Sequence, residues 1–344
     1  MATLYNRQWQ KRELLRHVGH IEQLAGIRLL EAGDGRSRGS RVLDVWTGSG
    51  LRFQVLADRA LDISSCFYKG ASLCWRSPNG DVHPAYYEAQ GIGWLRSFQG
   101  GLLATCGLDQ FAVSSQDADG NPLGLHGRIG NLPATQLNYR TYWDGGEYEL
   151  EISGEVRQAA LFGENLVLRR RITTRLGSNR IRIEDEVCNE GFSPHPHMIL
   201  YHFNLGFPLV SSESKLILDA HTSTPRDAVA EQGAAQWHIF QEPTGDYQEQ
   251  VFIHQPNVDV NGRVSIKFHN PELGLGLRWS YDIAQLPYLL EWKMMGEGAY
   301  VVGIEPANCN GILGQAAARE KGELPYLAPG ESVTYTLSLE VVQV

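Results

Sequence analysis

The sequence predicts an all-β protein, a large antiparallel β-sandwich with a short N-terminal helix. Three observations carry that expectation. Short runs of alternating apolar and polar residues recur from about residue 27 onward, the period at which successive side chains of a strand face opposite sides. Clusters such as GDGRSRGS, SPNGDVHP, DADGNP and DGGE separate the runs and supply the positive-φ and fixed-φ positions that hairpins require. No helical segment of crossover length falls between the strands, so a parallel βαβ sheet is not expected.

Taken in order, Asn6 can cap a helix in which Trp9, Leu14, Leu15 and Val18 follow helical spacing, and Gly19 can end it. This gives a helical extension over residues 1–26. Strands follow at IRLLEA, RVLDVWT and LRFQVLA, then at EYELEISGEV, ENLVLRRRITTRL and NRIRIEDEVCNEG. Arg169, Arg170 and Arg171 read as the charged outward face of one of them. The last third repeats the alternation in VSIKFHNPELGLGLRWSYD and ESVTYTLSLEVVQV. Residues 71–110 break the rhythm and mix aromatic, Gly and Arg residues, as segments that grip ligands over a rigid scaffold do. With 344 residues, 42% hydrophobic and 20% charged, and no linker or repeat, the chain is expected to form a single domain over 1–344.

Composition also narrows the function. Thirty Lys and Arg against 39 Asp and Glu give a net charge of -9, and without a dense basic run a nucleic-acid surface is not expected. No stretch approaches the roughly 18 apolar residues of a membrane-spanning helix, and the polar start lacks a signal peptide's apolar segment, so a cytoplasmic location is expected. Five cysteines without a CxxC pair indicate neither a disulfide framework nor a zinc knuckle.

Ionisable side chains concentrate in apolar context at three places. In GLHGRIGNLPA, His126 lies between glycines and Arg128 follows. In HPHMILYHFNLGFPLV, His195, His197 and His202 fall close together, with His202 inside an apolar strand. Histidine is the side chain best suited to move a proton near neutral pH. In EWKMMGEGAYVVGIEPANC, Glu305 closes an apolar run, where a carboxylate costs several kcal/mol unless it is paired or useful. Glu291 and Lys293 alternate on the preceding strand, with the Trp292 indole on the other face.

In this order, the glycine-flanked histidine of LHGRIGNLPA, the strand histidine of LYHFNLGFP, the STPRD element and the Glu-Pro ending of LEWKMMGEGAYVVGIEP resemble the aldose 1-epimerase (galactose mutarotase-like) family. The resemblance covers roughly residues 40–344. It implies a β-supersandwich whose concave face holds a monosaccharide or sugar derivative, with Glu305 as base, His202 as acid, His126 as a second sugar-facing histidine and Asp227 as a hydroxyl ligand. It implies no metal and no organic cofactor. YHFNL in place of the more usual HPYFN, the His195-Pro196-His197 run and Arg128 after the first histidine point to a divergent branch.

Ring opening needs a base at the anomeric hydroxyl and an acid at the ring oxygen. The expectation is an ionised Glu305 and a protonated His202 on opposite sides of one acetal, across a cup one saccharide wide. Arg59 and Asp62 in VLADRALDIS, Arg96 in GWLRSF, Arg128 and Lys293 are candidate hydroxyl or anion contacts, and Trp292, Trp94 and Tyr86 candidate stacking platforms. Two other readings stand beside this one. A metal-dependent, cupin-type isomerase would use His195, His197 and His202 as ligands. A non-catalytic carbohydrate-binding module would keep the cleft without turnover. The oligomeric state, a homodimer included, stays open.

Overall fold

The computed structural model describes residues 2–344. Its strands gather mainly into three antiparallel sheets. A five-stranded meander runs through Gly26–Glu31, Arg41–Trp46, Leu51–Leu56, Asp62–Tyr68 and Ala71–Ser72. An eight-stranded sheet orders Thr135–Asp144, Glu147–Ala159, Asn165–Arg175, Arg180–Asn189, Ser332–Gln343, Leu275–Asp282, Arg263–Asn270 and Lys215–Leu218. A six-stranded sheet orders Ala220–Pro225, Gln250–Pro256, Tyr288–Met295, Tyr300–Ala307, Met198–Gly206 and Ala104–Leu108. The all-β sandwich read from the alternation is therefore the observed fold.

The alternation builds the core directly. On Asn165–Arg175, Leu166, Leu168 and Ile172 turn inward; on Leu275–Asp282, Leu277, Trp279 and Tyr281 do so. They meet Tyr201, Phe203 and Leu205 of the six-stranded sheet in one cluster. Each such aromatic or aliphatic side chain contributes about 1.5–3 kcal/mol on burial. A second, smaller cluster lies on the other face of the six-stranded sheet, under the irregular segment, and includes Trp94, Phe98, Leu200, Leu290 and Ala307.

Two expectations are corrected. The N-terminal helix is only Lys11–Leu15. Ala2–Leu4 pairs with Arg7–Trp9 in a hairpin instead, and Tyr5 and Asn6 turn it at φ 54 and 60, a left-handed pair of positions that asparagine tolerates. Asn6 thus serves a turn, not a cap, and Trp9 donates its indole N–H to Leu4 O across the hairpin. The second correction concerns the arginine run. Arg169 and Arg171 do face solvent, paired with Glu155, Glu190, Glu151 and Glu184. Arg170, at the alternate position, has a side chain that is 0% exposed, with Asp185 at 2.7 Å and Asp62 at 3.1 Å. Two carboxylates facing it from neighbouring elements make that inward orientation tolerable.

Candidate active site

The pairing of adjacent strands brings the first two candidates together. Met198–Gly206 pairs with Tyr300–Ala307 at Leu200↔Ala307 and Phe203↔Ile304, a register that sets position 202 opposite position 305. On the far sides lie Ala104, opposite His202, and Leu290, opposite Glu305. Because side chains alternate, Phe203 and Ile304 enter the main core while His202 and Glu305 share the opposite face with Leu200, Leu290 and Ala307. His202 Nε2 lies 3.1 Å from Glu305 Oε1, and each side chain is 5% exposed.

Aromatic rings surround the imidazole of His202. Phe98, Trp292 and His126 have centroids 5.6, 5.5 and 5.5 Å from it. Trp94 packs on His126 at 4.5 Å and Trp75 on Trp292 at 6.4 Å. Glycines provide the room. A Cβ at Gly303 would lie 2.3 Å from Glu305 Oε1 and 2.9 Å from Trp292 Cβ, so the glycine of GIEP is the space the carboxyl occupies. A Cβ at Gly127 would lie 2.4 Å from the carbonyls of Gly107 and Gln110, and there φ is also positive. His126 itself has φ 59. Burial pulls its pKa down to about 4, which leaves a neutral ring. Its Nδ1 accepts from Ala112 N–H, so the ring hydrogen sits on Nε2, free to donate.

Burial acts on both members of the pair and disfavours charge on each. It holds the Glu305 carboxyl well above its ordinary pKa, reinforced by the negative charge of Glu249 and opposed by Arg226. It holds His202 well below the ordinary histidine value, with His126 adding to the effect. The contact between them lacks hydrogen-bond alignment, and His202 Nδ1 and Glu305 Oε1 are buried without a hydrogen-bond partner. The expected geometry is corrected accordingly. The two groups stand side by side, with no saccharide-wide gap between them, and burial disfavours the charged form of each.

The remaining candidates separate into those near this pair and those in the scaffold. Trp292 is at the site, and its indole N–H donates to Glu249 at 2.9 Å. Arg128 is half-buried two residues beyond His126. Its charge acts on Tyr87, and among the described residues its side chain has no hydrogen-bond partner. Arg59 is buried and donates to the carbonyls of Gly130, Val82 and Ser97. Asp62 accepts from Thr105 N–H and Oγ1 and from Arg170. Both residues brace the scaffold. Arg96 is exposed beside Glu88 at 3.4 Å. Asp227 caps the helix Ala228–Gln232, accepting from Val229 and Ala230 N–H at 3.0 Å. Lys293 points to the face opposite Trp292 and donates to Gln236 O at 2.9 Å, as strand alternation requires. Tyr86 is exposed.

The three histidines of the metal-dependent reading do not converge. His197 is held by Leu108 O and Tyr335 Oη, and alternation turns it away from His202. Among the described residues, no group of three or more His, Cys, Asp and Glu side chains is arranged to hold a metal ion. Four residues that the sequence reading did not single out complete the rim: Trp75, Phe98, Arg226 and Glu249. Arg226 donates to Glu249 at 3.0 Å, which in turn holds Trp292. Phe98 and Trp75 fall in or beside the irregular segment marked as ligand-gripping. Glu249 carries no sequence signal, since it sits in a polar loop just ahead of its strand. A groove of about 860 Å³ lies elsewhere, on the solvent face of the eight-stranded sheet, lined by Thr173, Arg182, Ser280 and Ser338.

No helix among the described residues is long and apolar enough to cross a membrane. Comparison with known proteins finds no match among the curated ones. Among solved structures, the chain is similar to a protein from Klebsiella pneumoniae provisionally described as an aldose 1-epimerase, at 27% identity and a TM-score of 0.87, over 94% of this chain and 86% of that one. It is also similar in fold to a galactose mutarotase-like protein from Clostridium acetobutylicum (12% identity, TM-score 0.66, 94% and 100% covered) and to galactose 1-epimerase from Lactobacillus acidophilus (13%, 0.57, 93% and 99%). The fold is thus galactose mutarotase-like, as the motif order implied. The model described as Domain of unknown function (DUF4432) matches residues 37–341, and the chain belongs to that family, a divergent branch of this fold.

Proposed function

We propose that the chain interconverts the anomers of a monosaccharide or sugar derivative by ring opening, acting as a single domain without a metal or organic cofactor. The observation that carries this reading is the His202–Glu305 pair: buried, side by side at 3.1 Å, with atoms left unpartnered. The two oxygens of an anomeric centre are bonded to one carbon and lie close together, so neighbouring groups can reach both when the sugar sits on the pair. Glu305 as the acid protonates the ring oxygen while His202 accepts the proton of the anomeric hydroxyl. The C1–ring oxygen bond breaks, the aldehyde rotates, and the steps reverse. The reverse assignment, a carboxylate base and an imidazolium acid, uses the same single proton. It is the form that begins with two buried charges and is therefore disfavoured.

The neutral His126 supplies a donor to a sugar oxygen, and Trp292, steadied by Glu249, supplies an apolar platform for the ring face. Arg128 and the Arg226–Glu249 pair are the polar contacts that would read hydroxyl or anionic substituents. Holding the ring between these groups removes orientational entropy. NMR exchange spectroscopy on a panel of neutral and acidic sugars, with the protein added, tests the reading. Accelerated exchange for at least one sugar is expected. Calorimetric binding with no acceleration for any of them would identify a binding module instead.

A further inference from the structure

On the opposite face of the six-stranded sheet, at its edge, three side chains form a second proton-transfer array that the anomer chemistry does not use. Ser223 Oγ lies 2.8 Å from His254 Nδ1, and His254 Nε2 lies 3.0 Å from Glu291 Oε2. His254 and Glu291 are 0% exposed, whereas Ser223 is half-buried on the edge strand Ala220–Pro225. Trp237 packs over the imidazole at 4.8 Å. A purely structural ion pair would be expected to saturate the carboxylate, yet Glu291 Oε1 is buried without a partner. A hydroxyl within reach of a base that a third group orients is the arrangement that activates a nucleophile.

The backbone adds a donor. Arg226 N–H bonds to Val251 O, and the register runs Ser223↔His254, Thr224↔Ile253 and Pro225↔Phe252. In an antiparallel ladder alternate residues carry the bonds to the partner strand, and Pro225 has no N–H to offer. Positions 222, 224 and 226 therefore face the neighbouring strand, and the N–H of Ser223 points to the open edge, beside its own hydroxyl.

We propose that Ser223, His254 and Glu291 form an acyl-transfer site for small carboxylic esters, with Ser223 as nucleophile. Ser223 Oγ bonds to the ester carbonyl carbon and passes its proton to His254 Nδ1. The carbonyl oxygen, now negative, is met by the Ser223 N–H. The bond to the alcohol oxygen breaks, and the alcohol leaves with the proton from His254. Water, deprotonated by the same imidazole, then attacks the acyl-serine and releases the carboxylic acid, restoring Ser223. Glu291 accepts the Nε2–H of His254 and stabilises the imidazolium that forms in each half.

Incubating the full chain with a fluorophosphonate probe and mapping the adduct by peptide mass spectrometry tests this. Ser223 oxygen displaces fluoride in the labelling step. A single adduct on Ser223 is expected, together with turnover of p-nitrophenyl acetate that Ser223→Ala removes. His254→Gln, checked for folding by circular dichroism, should slow labelling at least ~10²-fold; if that variant does not fold, Glu291→Gln should slow it in the same direction. Anomer exchange should be the same in Ser223→Ala as in the unmodified chain, because the site lies on the other face of the sheet. No adduct on Ser223 of the folded chain, or labelling at an unchanged rate in the folded His254 or Glu291 variant, would overturn the proposal.

Discussion

Arg170 and Glu305 are both buried ionisable side chains on interior strands, yet their surroundings follow opposite rules. Arg170 donates to both oxygens of Asp185, to Asp62, to Thr105 Oγ1 and to Ala60 O, and Tyr201 donates to the same Asp185. Glu305 faces His202 at 3.1 Å without hydrogen-bond alignment and retains an oxygen with no partner. A saturated cluster fixes three elements of the scaffold to one another. An unsaturated one keeps donor and acceptor capacity in reserve at a cost of roughly 1–3 kcal/mol for each unmet group. That difference separates a structural polar cluster from a reactive one, and the two can be probed against each other.

The largest effect is expected at the unsaturated pair. Glu305→Gln and His202→Ala should each lower anomer exchange by about 10²–10⁴-fold, read by NMR. The melting temperature should change little for Glu305→Gln, which exchanges one polar group for another of the same shape, and for His202→Ala the lost ring packing is partly offset by removal of an unpartnered buried nitrogen. Activity retained in full by either variant would remove that residue from the mechanism. Arg170→Leu should behave in the opposite way. It strands Asp62 and Asp185 and should cost ~3–5 kcal/mol of stability by chemical denaturation, with the exchange rate per folded molecule preserved. Gly303→Ala places a methyl where the Glu305 carboxyl sits and against Trp292 Cβ; a displacement of the carboxyl by about an ångström should cost about 10²-fold in exchange, with about 1–3 kcal/mol of stability lost to the overlap.

The pH profile follows from the directions of the two shifts. Exchange requires the pair to hold one proton. As pH falls through the His202 value, lowered from 6.5, a second proton binds and the base is lost. As pH rises through the Glu305 value, raised from 4.5, the remaining proton leaves and the acid is lost. The acid limb is expected below 6.5 and the basic limb well above 4.5, each falling about tenfold per unit, with limbs that belong to the pair and not to either residue. An acid limb centred at 6.5 would instead indicate a solvent-exposed histidine. The smallest effect is expected at Arg96, whose exposed contact with Glu88 predicts that Arg96→Ala changes both stability and exchange within experimental scatter.

The comparison also shows where sequence reading reaches and where it ends. Period-two alternation marked strands with one buried face, such as Asn165–Arg175 and Arg180–Asn189, because one buried face per strand is a local property of the chain, whereas Met198–Gly206 and Tyr300–Ala307 are buried on both faces. It failed at Arg170 for a specific reason: a position that alternation turns inward was assigned outward on the strength of its charge. Only two carboxylates brought from other strands make the inward site hospitable. The N-terminal helix failed similarly, since Asn6 serves a cap and a tight turn equally well and the pairing of Ala2–Leu4 with Arg7–Trp9 decides between them.

The chain by itself determined the strand pattern, the glycines that flank His126, and the identities of the histidines and the glutamate on strand interiors. All of these depend on short-range sterics and on the expense of burying charge without purpose. Tertiary structure alone decided that His202 and Glu305 touch, that Lys293 turns away while Glu249 and Arg226 close on Trp292, and that Arg59, Asp62 and Asp227 serve the scaffold. Strand register and the low dielectric of the interior set those contacts and the protonation states that follow, and neither is encoded within any one segment of the chain.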